Sequence, residues 1–361
     1  MWGVVFIILD VWKEYVNSPT VTTVDSTNYP IWNVPFPAVA ICNINKISRS
    51  AAWNLAKNMS KSRGVETEEL FEMMRYLGRL YDHDSDHFED IQKLHNILAN
   101  GSKSFDVTNI MKELTPKCSD LLIRCQWMGK LKTCSDIFDT RKTMEGYCCS
   151  FNYIRESDDF ISEKSDLPTN LNVTGERMKS PGYHMGLTVL VDPHPEDYFY
   201  PLISSYGTKV KNLLLVFNPR DFPDTPSGGL IEKLVPPKNE VFFRLEATTV
   251  YAVSSVQNFD WKQRGCLFPN EGPALLGSYS YSDCLMNCRI LSIHTLCKCL
   301  PFYYPAKGTT RNCGLLDIPC LNKYRDICAS QSIECNTLKL PRTNPECEYC
   351  YPSCSCITFR T

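Results

Sequence analysis

Cysteine is the residue type in this chain whose number and spacing demand a chemical explanation. Thirteen of the nineteen cysteines fall in about a quarter of the length: Cys266, Cys284, Cys288, Cys297, Cys299, Cys313, Cys320, Cys328, Cys335, Cys347, Cys350, Cys354 and Cys356. Thiols this dense either bind metal or pair as disulfides. For zinc, Cys347-Glu-Tyr-Cys350 supplies one C-x-x-C half, while Cys297-Lys-Cys299 is the less typical C-x-C. No second C-x-x-C follows at the usual separation, and His294 is the only nearby imidazole. Disulfides account for more positions and are the preferred reading. Ser282 ahead of Asp283–Cys288 predicts an N-capped helix start. Cys284 and Cys288 then share one helix face, from which both reach a facing segment. The odd total leaves at least one thiol unpaired or joined between chains. A second island holds Cys118, Cys125, Cys134, Cys148 and Cys149. Adjacent Cys148 and Cys149 can hardly bridge each other, so they must reach different partners; Cys42 is one distant candidate.

The other cluster that could do chemistry is acidic: Asp82-His-Asp-Ser-Asp-His-Phe-Glu-Asp90. As a functional site, Asp82, Asp84, Asp86, Glu89 and Asp90 would sense protons or a divalent cation, because clustered carboxylates raise one another's pKa and attract cations. As plain structure they form a solvated turn and a helix N-terminus, where acidic residues are expected; that reading is preferred. His83 and His87 are four apart but straddle a predicted helix start, which disfavours a metal pair. G-x-S-x-G, G-x-x-x-x-G-K-[ST], H-E-x-x-H and G-x-G-x-x-G are all missing from the sequence. No enzyme is expected, and no cofactor. A cysteine nucleophile is unexpected where thiols are being oxidised.

The elements that must position these groups follow from periodicity. Met1–Leu9 is an uncharged apolar run ending at Asp10. As a helix it reaches roughly 14 Å, short of the ~30 Å of a bilayer core. Trp12, Lys13 and Tyr15 read as interfacial anchors after a span, so residues 1–16 are taken as the end of a transmembrane helix, with a buried core helix as the alternative. Thr20–Val24 and Phe36–Cys42 are strand candidates, the second placed by Pro35 and Pro37 at a sheet edge or strand start. Between 48 and 114 the period turns helical: a short mixed segment at 51–59, a stripe from Leu70 to Leu80, a stripe from Phe88 to Leu98 with an Asp86/Glu89 capping box, and a third helix at 107–114. Residues 186–191, 210–217 and 240–256 read as strands. The order is strands, inserted helices, strands, then a cysteine-rich helical end, which is an α+β pattern. Three sequons, at Asn58, Asn100 and Asn172, join the cysteines in favouring an extracellular location. A net charge of −2 with no basic tract excludes nucleic acid as a partner.

Phe36-Pro-Ala-Val-Ala-Ile-Cys-Asn43, coming after Ser18-Pro-Thr20, resembles the FPAVTICN signature of the degenerin/epithelial sodium channel family. Gly146-Tyr-Cys-Cys-Ser-Phe-Asn152 resembles the segment holding the partner of that first cysteine, in the doubled form of insect pickpocket-type members. Arg264-Gly-Cys-Leu-Phe-Pro-Asn-Glu271, Tyr281-Ser-Asp-Cys-Leu-Met-Asn-Cys288 and Cys297-Lys-Cys-Leu-Pro301 resemble the family's thumb. The resemblance implies the pairs Cys42–Cys148, Cys125–Cys134, Cys266–Cys354, Cys284–Cys350, Cys288–Cys347, Cys297–Cys320 and Cys299–Cys313. Cys118–Cys149 is inferred for the remaining pair of the first island, and a local Cys328–Cys335 bridge is the simplest choice for two more, leaving Cys356. The implied fold is a hand: a central β-sheet palm near residues 20–45, 185–220 and 240–260, an inserted helical finger, and a disulfide-rich helical thumb. Its divisions here are 17–47 first palm strands, 48–150 finger, 151–260 palm strands and loops, and 261–361 thumb. The implied function is a subunit of a trimeric, amiloride-sensitive sodium channel of the plasma membrane, gated through its extracellular domain, with sodium ions, related subunits and the membrane as partners. With no second apolar span or G-x-S segment before Thr361, the sequence reads as a fragment that names no pore residue. The alternative is a secreted disulfide-rich binding protein or receptor ectodomain without channel activity.

Overall fold

The computed structural model describes residues 2–17, 20–155, 175–199, 212–225, 229–272, 278–306, 310–325 and 350–361. The first element, α1 (Trp2–Asn17), turns its apolar side chains outward all round: Phe6, Ile7, Leu9 and Trp12 are each more than half exposed. No helix among the described residues is long and apolar enough to cross a membrane. Thr20–Val24 is not a strand. Its β-branched residues favour an extended chain, but Val21 and Val24 lie open to solvent with no ladder partner, and propensity alone does not make a sheet.

β1 (Ala38–Asn43) is a strand, and it lies at the centre of a sheet rather than its edge. Pro37 directly precedes it, so no donor within the ladder is lost. Val39 and Ile41 face one core cluster; Ala38, Ala40 and Cys42 face another. Burial on both faces explains the unbroken apolar run.

The helical insert follows. Ser48 accepts a hydrogen bond from the Ala51 amide to start α2 (Arg49–Arg63), which Gly64 ends in a left-handed conformation. Next come α3 (Thr67–Met74), a 3-10 turn at Arg75–Gly78, α4 (Arg79–Asp82), α5 (Phe88–Ala99) and α6 (Val107–Leu114). The Asp86/Glu89 capping box does not form: His87 is the N-cap residue of α5, in the left-handed region. Asp82 and Asp84 each accept the amide two residues on, which commits 82–86 to turns and delays the helix.

From Cys118 onward the chain builds sheet that periodicity did not announce: α7 (Cys118–Leu121), β2 (Leu122–Trp127), β3 (Lys130–Lys132), α8 (Cys134–Ile137), β4 (Phe138–Thr143) and β5 (Gly146–Phe151). Then come β6 (Leu187–Val191), β7 (Asn212–Phe217), β8 (Ile231–Val235), β9 (Glu246–Val250), α9 (Trp261–Arg264), α10 (Tyr281–Cys297), α11 (Ile318–Lys323) and β10 (Cys356–Arg360). The central sheet has order β4-β5-β1-β7-β8, all neighbours antiparallel. Residues 138–150, expected in the helical insert, thus supply all but the last residue of two of its strands. Residues 187–191 join β2 and β3 instead, and 246–250 pairs with β10. Of the stretch 240–256, only Glu246–Val250 is a strand. The N-cap of α10 is Ser280, two residues before the expected Ser282. The largest core cluster joins α2, α3, α5 and α6 to Met286, Ile290 and Ile293 of α10 and to Phe302–Tyr304.

Candidate functional site

The site is the cysteine-rich region and its contacts with the sheet. The alternation of β5 decides how the doubled cysteine is used. Successive strand side chains point to opposite faces, so Cys148 and Cys149 look away from each other. Cys148 bonds Cys42 of β1 on one face, and Cys149 bonds Cys118 on the other. Cys125 is joined to Cys134. In the later region the structure joins Cys266 to Cys354, Cys284 to Cys350, Cys297 to Cys320 and Cys299 to Cys313. Cys288 is disulfide-bonded as well; Cys347, the partner implied for it, lies outside the described residues, as do Cys328 and Cys335. Cys356 is a free thiol, pushed up by burial and by the nearby Asp221 carboxylate. These sulfurs are joined to one another rather than gathered around a metal. Among the described residues no three His, Cys, Asp or Glu side chains converge to hold an ion.

Helix α10 is held on several sides. Met286, Ile290 and Ile293, at helical spacing, form its apolar stripe toward the insert. Cys284 and Cys288 lie on the opposite face. Asp283 and Arg289 flank the stripe, and both reach elements that leave the sheet. Arg155, four residues beyond β5, donates from Nη1 to Asp283 Oδ1 at 2.8 Å, both side chains buried. Arg289 pairs with the fully buried carboxylate of Asp224, beyond β7. Between them Ser280 Oγ donates to Asp221 Oδ1 at 2.9 Å instead of capping its own helix. Asp221 itself is pushed up to about 7, by burial first and then by the charge of Asp283.

The acidic turn is engaged in local contacts. Arg79 pairs with Asp82 at 3.4 Å and also with Asp84. Asp90 accepts from the Tyr76 hydroxyl at 2.9 Å, while Asp86 and Glu89 are exposed. Arg325, just past α11, donates to the Asp82 carbonyl, and Asn322 Nδ2 meets Ser85 Oγ at 3.1 Å, so the turn docks on the cysteine-rich region. His83 is pushed down to about 4 by burial and then by Arg325. His83 and His87 both adopt left-handed backbone, one ending α4 and the other preceding α5. Asn58 is exposed on α2 and Asn100 is exposed at the left-handed end of α5; Asn172 lies outside the described residues. A polar cleft of about 360 Å³ opens beside the end of β1, lined by Asn43, Asn45, Glu113, Lys117, Asp192 and Asp197 among others. It holds no cysteine, and its carboxylates are engaged in part: Asp197 Oδ1 accepts from the Ser50 amide at 2.8 Å.

The model of one protein family, described as the amiloride-sensitive sodium channel, matches residues 1–361. The chain belongs to that family. It is 28% identical over 337 residues to the sodium channel protein Nach of Drosophila melanogaster, covering 90% of this chain and 61% of that protein. It is 24% identical over 385 residues to pickpocket protein 28 of the same fly, covering 99% and 57%. A mammalian match is the bile acid-sensitive ion channel of Mus musculus, 24% identical over 306 residues, covering 84% and 53%. The chain thus spans roughly three fifths of the length of the insect relatives it matches. These matches place it, within the degenerin/epithelial sodium channel family, beside the insect pickpocket-type members. It is a family of ion channels, not of enzymes.

Sequence reading missed Arg155, Asp221, Asp224 and Arg289. Each is a single charged residue with no motif around it. The only signal in the sequence was weak: an acidic residue in the first turn of α10, which the helix dipole alone would explain.

Proposed function

We propose that this chain is the extracellular part, with the adjoining end of a membrane helix, of a sodium channel subunit that works as a trimer at the plasma membrane. The match of the whole chain to a sodium channel family model carries this reading. The disulfides and the exposed Asn58 and Asn100 suit an oxidising, extracellular setting. The exposed apolar surface of α1 suits lipid or neighbouring subunits better than water. In the family's terms, the five-stranded sheet serves as the palm, the helices from 49 to 114 as the finger, and the region from Cys266 onward as the thumb. Sodium ions are the permeant species and related subunits the partners. The thumb acts as a stiff lever, because its cross-links remove the soft motions that would absorb a push.

The test is expression of the complete coding sequence, alone and with pickpocket-type subunits, under two-electrode voltage clamp. Acid, alkaline and mechanical stimuli are applied in sodium and in sodium-free medium. A sodium-dependent inward current reduced by amiloride is the expected result. Surface-expressed protein that passes no current under any of these conditions would count against the reading. A secreted binding protein, the other reading, has no observation in its favour beyond the disulfides, which both share.

A further inference from the structure

The strand register brings one end of the sheet toward α10. β5 and β7 both run antiparallel to β1, hence parallel to each other. Phe151 at the end of β5 sits opposite Val39, and Phe217 at the end of β7 sits opposite Ala38. Both strands therefore leave the sheet at the same end, one on each side of β1. Their exit segments are tied together, the Ile154 amide donating to the Pro219 carbonyl at 3.1 Å. Each then meets the start of α10: Arg155 donates to Asp283, and Asp221 accepts from the Ser280 hydroxyl. One guanidinium thus stands near two carboxylates at the start of α10. Among the described residues, the other groups facing Asp221 are the Ser280 hydroxyl and, from β10, the Cys356 thiol. Further along α10, Arg289 is committed to Asp224.

We propose that Arg155, Asp283 and Asp221 form a proton-dependent latch between the central sheet and α10, closed while Asp221 carries a proton and weakened when it ionises. With Asp221 neutral, Arg155 and Asp283 balance one to one. Ionisation adds a second negative charge beside Asp283, and among the described residues Arg155 is the one cation that lowers its cost; a buried unbalanced charge is strongly unfavourable. Part of the Asp221 residue still reaches solvent, which gives the proton a route in and out. The direction follows from linkage. The folded-state pKa lies near 7, above the ordinary carboxylate value of 3.8. The contribution to stability is therefore complete at acid pH and is lost as pH rises through about 7. For one such site the loss between pH 6 and pH 8.5 is about tenfold in the closed-to-open ratio. Any part of this latch in gating rests on the channel reading above; the latch itself is tested without current.

The experiment is amide hydrogen exchange on the oxidised chain at several pH values, read as protection factors so that the intrinsic pH dependence of exchange divides out. Protection across residues 281–290 and 218–225 should fall about tenfold from pH 6 to 8.5, while α2 and α5 stay level. Asp221→Asn should remove the step and keep the acid-pH protection throughout. Asp283→Asn should move the step to lower pH, because Asp221 then faces Arg155 alone. A wild-type step that persists unchanged in Asp221→Asn would overturn the latch, and so would flat wild-type protection. If Asp221→Asn does not fold, the Asp283→Asn shift decides: an unmoved step overturns the proposal. Absence of sodium current in the full-length protein would bear on the channel reading and leave the exchange result intact.

Discussion

Gly146 is where three parts of the molecule touch, and replacing it by alanine tests that contact directly. The residue closes the turn between β4 and β5 with φ at +89°, a region that L side chains rarely adopt. A Cβ there would stand 2.7 Å from both Cε1 and Oη of Tyr81 and 3.1 Å from its Cζ. The ring cannot simply swing away. Phe302 meets it edge-on at 5.3 Å, Tyr303 stacks at 6.5 Å, and the Lys46 ammonium lies 5.6 Å from its centroid while paired with Glu145 at 2.7 Å. Burial also pushes the Tyr81 hydroxyl well above its ordinary range, as expected of an enclosed phenol. Gly146→Ala should therefore cost about 1–2 kcal/mol in backbone strain and about 1–3 kcal/mol in overpacking. The sum, roughly 2–5 kcal/mol, would be read from urea unfolding of the oxidised chain. Tyr81→Leu removes the collision and leaves the strain. In that background the alanine should cost only about 1–2 kcal/mol, a coupling of about 1–3 kcal/mol in the double-mutant cycle. A loss below ~0.5 kcal/mol for Gly146→Ala, or an undiminished loss in the Tyr81→Leu background, would refute the packing described here.

Two further outcomes follow from the same geometry. The bridges Cys42–Cys148 and Cys125–Cys134 span sequence separations of 106 and 9. Loop-closure entropy then assigns them about 4.7 and about 2.7 kcal/mol, so Cys42→Ser with Cys148→Ser should lower the urea midpoint distinctly more than Cys125→Ser with Cys134→Ser. Equal losses would show that loop length does not set their contributions. Arg289→Met deprives the fully buried Asp224 of its guanidinium, and thermal unfolding should report a loss of about 3–5 kcal/mol. Adding Asp224→Asn should restore most of it; no recovery would mean that Arg289 acts through packing instead.

What could be read from the sequence, and what could not, divides by the range of the interaction. β1 was legible because a strand buried on both faces writes itself as an unbroken apolar run. The helices of the insert were legible because an amphipathic stripe recurs every three or four residues, as from Leu70 to Leu80. β4 was not: Phe138-Asp-Thr-Arg-Lys-Thr143 is an edge strand in which exposed Asp139, half-buried Arg141 and buried Lys142 break the alternation of apolar and polar positions. β8, with Glu232 and Lys233 at the other edge, was hidden for the same reason. Thr20–Val24 failed in the opposite sense, since its local propensity is high and among the described residues no strand pairs with it. The ion pairs around α10 left only the weak signal of an acidic residue, Asp283, in its first turn. Arg155 and Asp283 are 128 positions apart, and a charge on a loop looks alike whether its partner is water or a buried carboxylate.

These charges matter because of what else holds α10. Its apolar stripe packs on the helical insert, a contact that is non-directional. Its other face is fixed by Cys284 near the start, and its last residue, Cys297, by the bond to Cys320. A helix stapled at both ends moves as a rod. Buried ion pairs, unlike the apolar stripe, have a strict geometry and a heavy penalty for separation. The ion pairs tie α10 to the sheet through Arg155, which follows β5, and through Asp224, which follows β7. Those two strands flank β1, which is bound to β5 by the Cys42–Cys148 bond as well as by the ladder. The doubled cysteine and the buried ion pairs thus belong to one chain of rigid contacts, running from the cysteine-rich region into the middle of the sheet.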